Sequence, residues 1–168
     1  ALALRERHAA LVEALGLFHS HPFADTEEQK EKRTKDAAFI ERNGSEKFVP
    51  VLIPKLFADA FVEKQKDVVN GLVEQNKNLD ANALVYALNA MRSRPDRAKV
   101  VASLTKPFLW IAGGRDQVIS LESVNKMYAL PPVASGLFLR EAGHMGMVES
   151  TPGCAGHILN WMASVSNA

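Results

Sequence analysis

The chain has 168 residues, enough for one domain with a substantial core. Hydrophobic residues make up 47% and charged residues 23%, and 20 basic against 19 acidic residues leave a net charge of +1. Charges so balanced and mixed give no basic footprint for nucleic acid and no polybasic patch for a membrane surface. No apolar run approaches the ~18–20 residues that span a bilayer. The one cysteine, Cys154, has no intrachain partner, so a reducing, cytoplasmic compartment is the expectation.

Residues 1–12 carry helical apolar spacing through Leu4, Leu11 and Val12, with alanines between. The first eight residues read as a helix interior, which implies a segment upstream. Leu15-Gly16-Leu17-Phe18 is a short apolar run that suits a buried strand, and His19-Ser20-His21-Pro22 is its exit loop. Asp25 and Thr26 each have a Glu or Gln three residues on, a helix-start signature. The stretch 27–36 holds four acids and four bases, with Glu28/Lys32 and Glu31/Lys35 in the favourable order for a solvated helix. Asn43-Gly44 stops it. From Ser45 to Arg97 the pattern predicts only helices and turns. Phe48, Leu52 and Leu56 recur at fours, and Val68, Val69, Leu72 and Val73 make one stripe. Leu84, Leu88 and Met91 make another.

The pattern changes after Arg97. Residues 107–112 (PFLWIA) form a continuous apolar run stopped by Gly113-Gly114, as in a strand buried on both faces of a parallel sheet. Residues 120–130 predict an amphipathic helix closed by Pro131-Pro132, and 136–140 a third strand. Thr151 as N-cap and Pro152 as first helical residue open a final helix with Ile158, Leu159 and Met162 inward. Strands alternating with helices in this way imply an α/β fold with an open, mostly parallel sheet, its strands buried on both faces.

Ligands of such sheets bind at the carboxyl ends of the strands. Asp116 lies just past the second strand and His144 just past the third, 28 residues apart. A carboxylate on one strand-end loop can hold the tautomer of an imidazole on the next and stabilise its charged form. The other ring nitrogen then serves as general base. Acid before histidine also fits the chain order nucleophile, acid, histidine of one hydrolase architecture.

On these segments the chain resembles the α/β hydrolases. Residues 107–116 (PFLWIAGGRD) resemble their strand-plus-acid segment, and 141–149 (EAGHMGMVE) their histidine loop. Residues 15–22 (LGLFHSHP) are similar to the strand and exit loop before a cap, and 91–97 (MRSRPDR) to the return from it. The resemblance implies the C-terminal portion of an α/β-hydrolase fold. Residues 1–22 would be core, comprising the tail of the helix after the nucleophile elbow and a strand. Residues 23–98 would form a helical cap, and 99–168 the rest of the core. It also implies that the elbow, G-x-S-x-G, and the oxyanion-hole backbone lie upstream of Ala1. No G-x-S-x-G occurs in this sequence: Ser45 follows Asn43-Gly44, and Ser135 sits between Ala134 and Gly136.

The function implied is a carboxylic-ester hydrolase using an upstream Ser with His144 and Asp116, and no cofactor. An upstream Asp would instead make a haloalkane dehalogenase. The same architecture also hosts cofactor-free lyases and peroxidases, or a non-catalytic binding module. His19, Ser20, Met145 and Met147 are candidates for the substrate-pocket rim. His19 and His21 form an H-x-H pair without a third ligand at suitable spacing, so packing is favoured over metal. Arg94, Asp96 and Arg97 read as a structural ion-pair knot, Trp110 as core, and Cys154 as a small buried residue. His8 and His157 read as surface or core-edge positions. The expected partners are a small-molecule substrate and the chain's own N-terminal segment, with self-pairing into a homo-oligomer as the alternative. The chain alone is expected to be inactive.

Overall fold

The computed structural model describes residues 1–166. The elements, in chain order, begin with helix α1 (Leu2–Arg7), strand β1 (Leu15–Phe18), and helices α2 (Glu27–Asn43) and α3 (Ser45–Leu52). Helices α4 (Asp59–Lys64), α5 (Lys66–Asn76), α6 (Ala81–Ser93) and α7 (Ala98–Ala102) follow. The chain then runs through β2 (Phe108–Gly113), α8 (Leu121–Tyr128), β3 (Ser135–Leu139), α9 (Gly146–Glu149) and α10 (Thr151–Ser166). It divides into two compact units, one built from Ala1–Pro22, Leu56–Ala58 and Arg97 onward, the other from Phe23–Lys55 and Asp59–Asp96.

In the first unit the described residues form a three-stranded parallel sheet in the order β1-β2-β3. Leu15 pairs with Phe108 and Phe18 with Ile111, while Leu109 pairs with Ser135 and Gly113 with Leu139. The three strands therefore end together. All six residues of β2 are buried, the expected fate of a central parallel strand. On one face Leu109, Ile111 and Cys154 form a core with Phe18, Leu137, Leu139, Ile158 and Trp161. On the other, Trp110 meets Tyr128 of α8 edge to face, ring centroids 5.4 Å apart. Gly136 makes room for that indole, since a Cβ there would stand 2.3 Å from it. Where the chain leaves this unit and returns, Pro22 O accepts the Arg97 N–H at 2.8 Å.

Several expectations are corrected. Only β2 is buried on both faces. Gly16 of β1 and Phe138 of β3 are exposed, because each sits on an outer strand and the covering helices reach the central one. The first helix stops at His8, and a 3-10 turn over Ala9–Leu11 follows. Its apolar positions Leu4 and Leu11 are exposed, and Val12 alone of that set is buried. In α10 the buried stripe is Cys154, Ile158 and Trp161, whereas Leu159 and Met162 lie one step around the helix and are 65% and 53% exposed. Thr151 is not the N-cap. The first helical bond runs from Cys154 N to Ser150 O, and the Thr151 hydroxyl donates backward to Met147 O at 2.7 Å.

The second unit is helical throughout. Thr26 caps α2 with a reciprocal capping box: its hydroxyl accepts the Gln29 N–H, and the Gln29 side chain accepts the Thr26 N–H. The solvated face is held by Lys30–Glu27 and Lys32–Asp36 pairs, where Glu28/Lys32 and Glu31/Lys35 were expected. Gly44 ends the helix with φ 76°. Ala37 and Ile40 of α2 pack on Val85 and Leu88 of α6, with Phe48, Leu84 and Met91 around them. Asp25, whose side chain is fully buried, pairs with Arg33 and with Arg94 Nη2 at 3.1 Å. In the first unit, Arg97 pairs with Glu6. No helix among the described residues is long and apolar enough to cross a membrane.

The helical core sets one expected outcome. Ile40 has no exposed surface, so Ile40→Ala should destabilise the protein by roughly 2–5 kcal/mol. Thr26→Ala, which removes only a cap, should cost about 1 kcal/mol. Urea unfolding of the two variants checks this order, and equal losses would refute it.

Candidate active site

Each parallel strand runs out into one titratable side chain. β1 ends at Phe18 and is followed by His19, β2 leads into the turn bearing Asp116, and β3 into the loop bearing His144. Because the strands end together, the three side chains meet. His144 Nδ1 lies 2.9 Å from Asp116 Oδ2, and His19 Nδ1 lies 3.2 Å from the same oxygen. Asp116 Oδ1 accepts the backbone N–H groups of Val118 and Ile119 at 2.8 and 2.9 Å. The Asp116 and His19 side chains are each 1% exposed, whereas His144 is 24% exposed. Its Nε2 has no protein partner among the described residues, so one ring nitrogen is held and the other is left for chemistry.

Burial pushes the Asp116 carboxyl up, but the hydrogen bonds from the His144 and His19 rings and from the Ile119 N–H outweigh it. The carboxyl is held well below the usual carboxylate range. Asp116 is therefore an anion across the neutral range, the state that orients an imidazole and stabilises its protonated form.

Two glycines let the acid loop and the histidine loop touch. A Cβ on Gly113 would stand 2.1 Å from Gly143 O, and one on Gly114 would stand 2.4 Å from Arg140 O. In their absence Gly114 N donates to Leu139 O at 2.8 Å and Arg115 N to Ala142 O at 2.9 Å. The Gly-Gly pair that reads in sequence as a strand stop is thus also what brings Asp116 within reach of His144.

Sequence reasoning missed Glu149. Its Oε1 accepts the N–H groups of Gly143 at 2.9 Å and Met145 at 3.3 Å, and its Oε2 accepts that of Ala58 at 3.0 Å. His144 N donates to Leu56 O at 2.7 Å. The backbone on both sides of His144 is thereby stapled by one carboxylate and one carbonyl. The available signal was a Glu five residues after the His, visible only as spacing.

The expected rim residues fare differently. His19 does not lie on an open rim. It is buried, because its Nδ1 turns inward to the carboxylate. Ser20 and Met145 are half-buried and Met147 is 39% exposed on α9; none of the three joins the Asp116 cluster among the described residues. Ligand atoms of His19, Asp116 and His144 lie within 4.8 Å of one another, and His21 does not join them. Both Nδ1 atoms aim at one carboxylate oxygen at hydrogen-bond distance. A metal ion there would have to displace two ring protons, so the set is better suited to holding protons than metal.

No family model matches the sequence. The chain is similar to a thermophilic esterase from Thermogutta terrifontis, with a TM-score of 0.88 and 21% identity, covering 98% of this chain and 60% of that one. It is also similar to the enol-lactonase from Burkholderia xenovorans LB400, at TM-score 0.85 and 17% identity over 96% and 60%. This is the C-terminal portion of an α/β-hydrolase fold. By sequence it is 29% identical over 103 residues to Lipase 1 of Psychrobacter immobilis, covering 61% of this chain and 29% of the lipase. It is equally similar, over 106 residues, to the pimeloyl-[acyl-carrier protein] methyl ester esterase of Stenotrophomonas maltophilia, covering 63% and 40%. The chain thus spans well under two thirds of the length of these relatives.

The electrostatics of this site fix a pH dependence. The folded state holds Asp116 below the ordinary carboxylate value of 3.8, so the unfolded chain binds that proton more readily. The stabilisation is complete above about pH 4–5 and fades as the pH falls through the carboxylate range toward the folded value. Asp116→Asn should therefore flatten the loss of unfolding free energy on acidification below pH 4. An unchanged acid slope in denaturant titrations at stepped pH would show that other carboxylates carry it.

Proposed function

We propose that the intact protein is a carboxylic-ester hydrolase working by acyl transfer on a small-molecule substrate. The observation that carries the proposal is the 2.9 Å bond from His144 Nδ1 to a buried, ionised Asp116 at the ends of adjacent parallel strands. In this reading His144 Nε2 takes the proton from a serine hydroxyl as its oxygen attacks the ester carbonyl. It returns the proton to the departing alkoxide, leaving an acyl-enzyme. A water then gives a proton to His144 as it attacks the acyl carbon, and His144 passes that proton to the departing serine oxygen, releasing the acid and the free serine. Asp116 keeps the imidazole in the tautomer with the proton on Nδ1 and stabilises the imidazolium formed in each half-reaction.

The serine and the oxyanion donors come from a segment outside this sequence, since no G-x-S-x-G lies within it. Residues 23–98 act as a cap that sets substrate choice, with Ser20, Met145 and Met147 as pocket-lining candidates. The names of the similar lipase and methyl ester esterase favour ester chemistry over dehalogenation or a silent binding module. The open edge at β1 and the exposed Leu4 and Leu11 suit an N-terminal segment of the same protein better than a second copy. The lone buried Cys154 suits a reducing, cytoplasmic setting.

In the intact protein, a fluorophosphonate probe should label one serine outside these 168 residues. His144→Ala should lower kcat on activated esters by several orders of magnitude while unfolding is little changed. Full activity in that variant would assign the base elsewhere.

A further inference from the structure

His19 is unusual in four independent ways. It is buried, with a side chain 1% exposed. It is the non-glycine residue with positive φ, 43°, among the described residues, a conformation that costs energy for most side chains. Its Nδ1 meets the carboxylate oxygen that holds His144, while its buried Nε2 has no hydrogen-bond partner. Finally, the space for its ring exists because residue 146 is glycine: a Cβ there would stand 2.3 Å from Nε2.

These observations fit together. An unpartnered nitrogen is least costly as a bare acceptor, because a buried N–H without an acceptor forfeits a full hydrogen bond. The ring proton therefore belongs on Nδ1, where it is donated to Asp116 Oδ2. That oxygen then receives two imidazole donors, His144 at 2.9 Å and His19 at 3.2 Å, with the rings edge to face and centroids 5.6 Å apart. His144 Nε2 has no protein partner among the described residues. His19 has no open side and holds still. Without it, Oδ2 would be held by His144 alone.

We propose that His19 is a positioning residue for the acid, a second and non-reacting imidazole that fixes Asp116 Oδ2 against His144 and requires Gly146 for its seat. The proposal rests on the ester-hydrolase reading above. His19 touches no reacting atom and acts through Asp116. Removing its donor leaves Oδ2 on His144 alone and lets it shift as far as the two backbone bonds to Oδ1 allow, and His144 with it. Misplacement on the ångström scale costs up to about 10²-fold in rate.

The test uses the intact protein. His19→Ala should lower kcat on an activated ester by about 10- to 100-fold with KM nearly unchanged. His19→Asn should recover most of that loss. Its amide nitrogen stands close to where Nδ1 stood, and Asn tolerates positive φ. Gly146→Ala, which displaces the ring while leaving His19 in the sequence, should resemble His19→Ala. In proton spectra of protein carrying ¹⁵N-labelled histidine, two downfield Nδ1–H resonances are expected, one of which disappears in His19→Ala. Wild-type kcat in His19→Ala, or a single such resonance in the unsubstituted protein, overturns the proposal even if a variant fails to fold. His144→Ala, run alongside, separates the two readings. If it is inactive while His19→Ala is fully active, only the role of His19 fails; if it is fully active, the assignment of His144 as the base fails, and with it the reading on which this proposal rests.

Discussion

A carboxylate removed from water must find its hydrogen bonds inside the protein, and Asp116 finds four among the described residues: two backbone N–H groups and two imidazoles. Much of the local architecture follows from supplying them. The backbone pair comes from the turn that follows Asp116 itself, so it is local. The imidazoles come from residues 97 positions before and 28 after, and only a parallel sheet with aligned strand ends delivers both. Burial pushes the carboxyl up; the two imidazoles and the Ile119 N–H outweigh it and keep the charge. A depressed acid at this position is thus a property of the sheet's register as much as of the aspartate.

Glu149 does for the backbone what His19 and the turn do for the acid. Its two oxygens gather N–H groups from Gly143, Met145 and Ala58, and the Leu56 carbonyl takes that of His144 itself. Hydrogen bonds to a charged acceptor are stronger than neutral ones, so a loop held this way is stiff without a helix or strand of its own. The residues opposite, Leu56–Ala58, belong to the sheet-bearing unit although the chain on either side belongs to the helical one. Phe57 among them is fully buried.

Legibility in the sequence tracked the range of the physical cause. The strands at Leu15, Phe108 and Leu137, the capping box at Thr26 and the Gly44 stop depend on neighbours within a few residues, and all were readable. That Asp116 and His144 would come within hydrogen-bond reach was readable because each lies in the loop after a strand and the strands are neighbours in the sheet. His19 also follows a strand, but its inward turn depends on a positive φ and on a glycine 127 positions away in sequence (146 − 19), neither of which leaves a local mark. The misjudged faces of β1, β3 and α10 have one origin. Periodicity says which residues share a side, and only the packed neighbours say which side is covered.

The seat of His19 leads back into the hydrophobic core. Gly146, against which the ring rests, offers its carbonyl to the Cys154 thiol at 3.2 Å. Burial pushes that thiol up, so it remains protonated and a donor. Cys154 in turn belongs to the stripe of α10 that packs on Leu109 and Ile111 of β2. A continuous series of packed groups therefore runs from the central strand through α10 and α9 to the imidazole, the carboxylate and His144. The same strand carries the Asp116 turn at its far end. The acid and the residues that restrain it are thus referenced to one rigid element, which is what a site that must hold two hydrogen bonds on one oxygen requires.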